Sequence, residues 1–161
     1  MDVVIREMQK ADIQQVQHVA KSSWNDTYEG IIPLEIQENF LKSAYNNEMM
    51  KWRLEHTNLF VAETEGKIIG FANYSRVKDE GKAELAAIYL YSAYQGKGIG
   101  TSLLHEGVKN LEGVKEIYIN VEKENKIGTT FYKAKGFHVV SEFNEDFQGH
   151  ILHTVRMMLS V

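Results

Sequence analysis

The sequence predicts an α/β fold, a mixed sheet of about seven strands with helices on both faces, and three observations carry that prediction. Residues 59–63, 67–76 and 83–90 are successive runs rich in Val, Ile, Phe, Tyr and Ala, the first two joined through Gly66, which reads as a meander of antiparallel strands. The third run passes through Tyr91-Ser92-Ala93-Tyr94 into Gln95-Gly96-Lys97-Gly98-Ile99-Gly100 and then an amphipathic segment, so a strand feeds a glycine turn and a helix. Beyond it, strand-like runs and a second amphipathic segment alternate, as they do where helices cover a sheet.

The elements follow in order. Residues 3–7 read as a first strand. Asp12 stands as an N-cap with Gln15 three positions on, and Ile13, Val16, Ala20 and Ser23-Trp24 recur at helical spacing, so a helix is expected to end near Asp26. Gly30-Ile31-Ile32-Pro33 breaks the chain before a helical stretch through Ile36, Phe40 and Leu41, and a further one spans Met49, Met50, Trp52 and Leu54. After the meander, Leu104, Val108 and Leu111 mark one face of the helix that starts at Ile99. A strand over residues 116–121, a helix over 125–135 and closing strands over 138–143 and 151–159 complete the pattern. Linker, repeat and low-complexity stretch are all absent, and 161 residues fit a single domain spanning residues 1–161.

Composition narrows the chemistry. With 43% hydrophobic and 25% charged residues the chain is ordinary for a globular protein, and no apolar run approaches the ~20 residues needed to span a bilayer. The start of the chain lacks the basic and long apolar regions of a signal peptide, so a cytoplasmic protein is expected, with no membrane partner. The absence of cysteine excludes disulfides, thiolate metal sites and an acyl-cysteine intermediate. Six scattered histidines make no His-Glu-x-x-His spacing, so no metal site is expected. A net charge of −4 argues against a nucleic-acid partner and suits a cationic one.

The glycine cluster has the properties of a phosphate cradle. Glycines at 96, 98 and 100 admit backbone angles closed to other residues, successive N–H groups can point at one anion, and the positive end of the following helix adds to the field. A nucleoside-triphosphate loop would need Lys and then Ser or Thr after its last glycine, but Lys97 lies between glycines. A dinucleotide fingerprint needs Gly-x-Gly-x-x-Gly near the first strand, and this chain has Gly-x-Gly-x-Gly past its midpoint.

Gln95, Gly98 and Gly100 instead match, in order, the pyrophosphate loop of the GCN5-related N-acetyltransferases: Gln or Arg, two variable residues, Gly, one variable residue, then Gly or Ala. The likeness covers roughly residues 3–159. Residues 59–63 and 66–72 resemble the family's second and third strands, and Asn125, Gly128, Phe131, Tyr132, Gly136 and Phe137 resemble its Asn-x-x-Ala-x-x-Phe-Tyr-x-x-x-Gly-Phe segment. Two features depart from the pattern: Gly128 stands where relatives usually have Ala, and the frequent proline between strand and cradle is replaced by Ser92-Ala93.

The resemblance implies a fold whose central strands splay apart around acetyl-CoA, and an enzyme that passes the acetyl group directly to a small primary amine. Backbone groups of Gln95, Gly96, Lys97, Gly98, Ile99, Gly100 and Thr101 would grip the pyrophosphate, Lys97 adding charge. The edge of Ile88, Tyr89 and Leu90 would pair with the pantetheine arm, and a bulge in that strand would free an N–H near Leu90 for the thioester carbonyl. Only about one lysine-like amine in a thousand is unprotonated near neutrality, so a base matters. Glu84 is the first candidate, with a structural ion pair as the competing reading; strand alternation would put it on the face of Ala86, Ile88 and Leu90 unless the bulge intervenes, and Glu63 and Glu122 are weaker candidates. Tyr132 is the candidate acid for the departing thiolate or a core tyrosine, and Asn125 is a cofactor contact or a cap. For the acceptor, the resemblance points to Trp24, Tyr28, Glu29, Ile31 and Ile32 as pocket walls, Trp24 reading equally as a core anchor. Residues 24–28 together with 125–137 resemble bacterial acetyltransferases of spermidine and spermine. Protein N-termini, an antibiotic or toxic metabolite, and a non-catalytic acyl-CoA sensor are the alternatives, and the family's closing strands often form dimer edges, which leaves a homodimer open.

Overall fold

The computed structural model describes residues 2–161, and every strand among them belongs to one sheet. The strands are β1 (Val4–Glu7), β2 (Asn58–Thr64), β3 (Lys67–Tyr74), β4 (Lys82–Leu90), β5 (Glu116–Glu122), β6 (His138–Phe147) and β7 (His150–Ser160), in the order β1-β2-β3-β4-β5-β7-β6. The helices are α1 (Ile13–Tyr28), α2 (Leu34–Ala44), α3 (Asn47–His56), α4 (Ile99–Asn110) and α5 (Lys126–Ala134). All pairings are antiparallel except β4 with β5.

Alternation along β2 sorts the core into two layers. Phe60 and Ala62 pack with Leu103 and Leu104 of α4 on one face, whereas Leu59 and Val61 pack with Val16, Val19 and Ala20 of α1 on the other. Burial of these side chains, each worth roughly 1.5–3 kcal/mol, fixes both helices to the sheet. The expected elements are all present, with α1 two residues longer than expected and β6 running on to Phe147. Asp12 precedes α1, but its carboxylate accepts the Gln9 N–H at 2.8 Å and a bidentate pair from Arg6 instead of capping the helix. Gln15 likewise turns from the cap and accepts the Ile68 N–H at 3.0 Å, tying α1 to β3.

Two irregularities in β4 create the site. The register runs Asn73 with Ala87 and then Tyr74 with Leu85, so Ala86 is an extra residue, a bulge. The bulge reverses the alternation: Ala83, Leu85, Ile88 and Leu90 face α4, while Ala87 and Tyr89 face α1. Pairing to β5 covers only Lys82 to Glu84 against Glu116 to Tyr118, beyond which the two strands diverge.

A close approach holds α4 in place. A Cβ at Gly107 would lie 2.2 Å from the Tyr74 ring, whose hydroxyl donates to the Leu103 carbonyl at 3.2 Å. Gly107→Ala is therefore expected to destabilise the fold by about 1–3 kcal/mol through overpacking, against the ~1 kcal/mol that alanine's helix propensity offers. Urea denaturation checks this, and a variant as stable as the parent would contradict the packing described.

Candidate active site

Where β4 and β5 part, a cavity of about 700 Å³ opens between them. Ala86 to Leu90 line one wall, Ile119, Asn120 and Val121 the other, and the glycine cluster closes one end. The Tyr91 N–H bonds the Ile69 carbonyl at 3.1 Å, so alternation turns the N–H groups of Leu90 and Ile88 away from β3 and into the slot.

The cradle is built by backbone conformation. Gly96 and Gly98 have φ of 75° and 80°, the left-handed region, and Gly98 caps α4 without any side-chain bond. No acceptor within the described residues takes an N–H from Gly96 through Thr101, and a Cβ at Gly96 or Gly98 would meet nothing within 4 Å. Six consecutive donors therefore fan into open space at the positive end of a 12-residue helix, an arrangement suited to an anion.

The opposite wall comes from α5. Asn125 accepts the Gly128 N–H at 2.9 Å and so caps this helix, while also lining the cavity. A Cβ at position 128 would sit 2.7 Å from the Asn125 amide nitrogen, so glycine here makes room for the cap. Tyr132 lines the same wall, 7% exposed, with ring contacts to Phe131 and Phe137 at 5.4 Å each. Burial pushes its phenol well above the ordinary range, so the hydroxyl keeps its proton.

Glu84 sits at the closed vertex, outside the cavity lining, with both oxygens bonded by Arg156. The bulge does intervene, so Glu84 lies on the side of Ala87 and Tyr89 and not with Ile88 and Leu90, as unbroken alternation would have had it. Glu63 bonds Arg6 on the far side of the sheet, paired through β1 and β2.

Among the expected cofactor residues, Ile88, Tyr89, Leu90, Gln95, Gly96, Gly98, Gly100 and Thr101 line the cavity with Asn125 and Tyr132. Lys97 and Ile99 do not; the Ile99 side chain is buried in the core and offers only its N–H. Of the acceptor residues, Tyr28 reaches the cavity and Trp24, Glu29, Ile31 and Ile32 do not. Trp24 stacks on Phe40 at 4.3 Å and donates its indole N–H to the Tyr89 hydroxyl at 2.9 Å, supporting the wall from behind. Ser23, Asp26 and Thr27 line the cavity beside Tyr28, and Glu124, Lys126 and Lys135 line it from the α5 side. Only the one-turn spacing of Ser23 and Asp26, and of Ser23 and Thr27, along α1 could have indicated the first group. A second, more open concavity of about 580 Å³ near His18, Lys67 and Tyr91 contains no carboxylate.

Comparison with known proteins agrees with this geometry. The profile of the acetyltransferase (GNAT) family matches residues 17–137. A spermidine N(1)-acetyltransferase of Thermoplasma acidophilum is 32% identical over 155 residues, covering 91% of this chain and 95% of that protein. An N-acetyltransferase of Bacillus subtilis, YuaI, is 30% identical over 154 residues, covering 91% and 87%. The crystal structure of the PaiA N-acetyltransferase of T. acidophilum in complex with coenzyme A superposes with a TM-score of 0.88 at 28% identity, covering 100% of both chains. Splayed strands, a fan of N–H donors at a helix start and these similarities lead to one conclusion: the chain belongs to the GNAT family of acetyltransferases.

Proposed function

We propose that the slot binds acetyl-CoA and that the protein transfers its acetyl group directly to a primary amine of a small polyamine. The observation that carries this reading is the run of unpartnered N–H groups from Gly96 to Thr101, opening onto a slot edged by the Ile88 and Leu90 N–H groups. Acetyl-CoA supplies an activated acyl group on a sulfur leaving group. The cradle fixes the pyrophosphate, so the pantetheine arm runs from it toward the vertex and passes Leu90 before Ile88. Ile88, not Leu90, is then the donor nearest the thioester, next but one to the bulge. Its N–H faces the acyl oxygen as negative charge develops there, a contribution of roughly 2.7–4 kcal/mol for such donors. Lys126 and Lys135 at the cavity rim complement the phosphates.

The amine attacks the acyl carbon, the carbon–sulfur bond breaks, and Tyr132 gives its proton to the departing thiolate. Glu84 accepts the amine's proton through water. Arg156 occupies one site on each oxygen, and an ionised carboxylate has about four such sites. The polyamine class rests on the likeness to the spermidine acetyltransferase and on Asp26 and Glu124 in the lining, which suit a cation.

A thiol-release assay with acetyl-CoA and a panel of spermidine, spermine, diamines and monoamines tests the proposal. Turnover with polyamines is expected, and none with any of them removes the acceptor class. In the same assay Glu84→Gln should lower kcat about 100-fold. An unchanged kcat would leave Glu84 only its ion pair.

A further inference from the structure

Glu84 takes its place on β4 from a side chain of the neighbouring strand. β3 ends at Tyr74, and the next residue, Ser75, stands opposite Glu84. In a regular antiparallel pair two such residues exchange both main-chain bonds. Here only one is made: the Ser75 N–H donates to the Glu84 carbonyl at 2.8 Å. The Ser75 carbonyl turns away to accept the Asn58 side-chain amide at 3.3 Å, and the Ser75 hydroxyl receives the Glu84 N–H at 2.8 Å in its stead. That hydroxyl in turn donates to the Arg76 carbonyl at 2.9 Å, which leaves its lone pairs for Glu84.

Both irregularities of β4 begin within two residues of this bond. Ala86 is the extra residue of the bulge, and Glu84 is the last residue of β4 to pair with β5 before the strands diverge. The other tether, Arg156, grips only the carboxylate, through a long side chain from β7. The Glu84 side chain is 37% exposed, so its carboxylate meets water at the vertex, whereas Glu122 at the end of β5 is buried and lies outside the slot lining.

We infer that Ser75 is a positioning residue for proton removal: its hydroxyl replaces a missing main-chain acceptor and so fixes the backbone from which the Glu84 carboxylate reaches water. The inference rests on the reading of Glu84 as the base. Ser75→Ala leaves the half-buried Glu84 N–H without an acceptor, and the strand must open there to hydrate it. Ser75→Thr keeps the hydroxyl and suits an extended backbone.

Thiol-release kinetics with acetyl-CoA and spermidine test this in Ser75→Ala, Ser75→Thr, Glu84→Gln and the Ser75→Ala/Glu84→Gln double variant. Thermal melting and calorimetry with CoA establish that each is folded and binds the cofactor. Ser75→Ala should lower kcat roughly 10-fold at unchanged CoA affinity, since small misplacements of a reacting group carry costs of that order. Ser75→Thr should retain the parent's kcat. In the Glu84→Gln background the change from serine to alanine should lower kcat no further, because two residues acting through one carboxylate are not additive. A purely structural serine would instead lower the melting temperature and leave kcat alone, or cost the same factor in both backgrounds. Either result overturns the inference, as does a Ser75→Thr variant as slow as Ser75→Ala. A second readout does not depend on turnover. In 13C-labelled protein the Glu84 carboxylate resonance, assigned by its loss in Glu84→Gln, should shift in Ser75→Ala and stay in place in Ser75→Thr. If Glu84→Gln keeps the parent's kcat, or no amine releases thiol, the base reading fails and this resonance alone decides. A shift then retains the placement of Glu84 by Ser75, and an unmoved signal in Ser75→Ala refutes it.

Discussion

Tyr132→Phe is expected to lower kcat by about 100-fold or more while leaving CoA affinity and the thermal melt unchanged. The substitution removes one atom whose removal costs the folded protein little, because the Tyr132 hydroxyl has no hydrogen-bond partner among the described residues while its ring packs against Phe131 and Phe137. A phenylalanine ring fills the same space, so packing survives and only proton donation is lost. The unchanged melt and CoA affinity separate this role from a general disturbance, and the pH profile adds a check on the donor's protonation. Burial raises the Tyr132 pKa, with the neighbouring Tyr89, Tyr28 and Tyr74 adding to it, so the donor stays protonated throughout the range in which the amine loses its own proton near pH ~10.4. Activity in the parent should therefore rise with pH without an alkaline fall from Tyr132, and the variant should trace the same curve at a lower level. Undiminished kcat in Tyr132→Phe would assign thiolate protonation to water and the tyrosine to the core.

Features written in consecutive residues were legible in the sequence. The cradle is local: the spacing of Gly96, Gly98 and Gly100 after a strand determines its backbone, and the structure shows the left-handed φ at the first two and the free N–H groups that such spacing implies. Elements with clear alternation or helical period were legible for the same reason. The end of β6 was not, because Asn144, Glu145 and Asp146 are consecutive polar, exposed residues, and a stretch without apolar alternation has no period to read. Contacts between distant residues were also hidden. Glu84 could be placed on a strand, but Arg156 lies 72 residues away, and only the sheet order β4-β5-β7 brings them together. The bulge at Ala86 has no residue signature, yet it decides which face Glu84 shares. Trp24 read equally as a pocket wall, implied by the resemblance, and as a core anchor, because helical spacing gives a face without saying what covers it; Phe40, Phe147 and Tyr89 pack against it. Asp12 had the type and position of a cap, and Arg6 took its carboxylate.

Gly98→Ala should cost the protein about 1–2 kcal/mol of stability and weaken CoA binding by roughly 10-fold or more. Two separable effects are involved, and Gly66 separates them. Both glycines have left-handed backbones, φ of 80° at Gly98 and 76° at Gly66, and a Cβ at either would meet no atom within 4 Å. An alanine at either position therefore suffers the same backbone penalty and no clash within the chain. Gly66 lies in the turn between β2 and β3, away from the slot, whereas Gly98 lines the slot in the middle of the run of donors from Gly96 to Thr101. A methyl group there occupies the anion's place, and any relaxation of φ toward negative values swings the N–H fan off its target. Gly66→Ala and Gly98→Ala should consequently lower the unfolding midpoint by similar amounts, while calorimetry with CoA finds the first unchanged and the second weakened. Should both variants bind CoA as the parent does, the glycine cluster is an ordinary strand-to-helix turn, and the phosphates must be held elsewhere on the molecule.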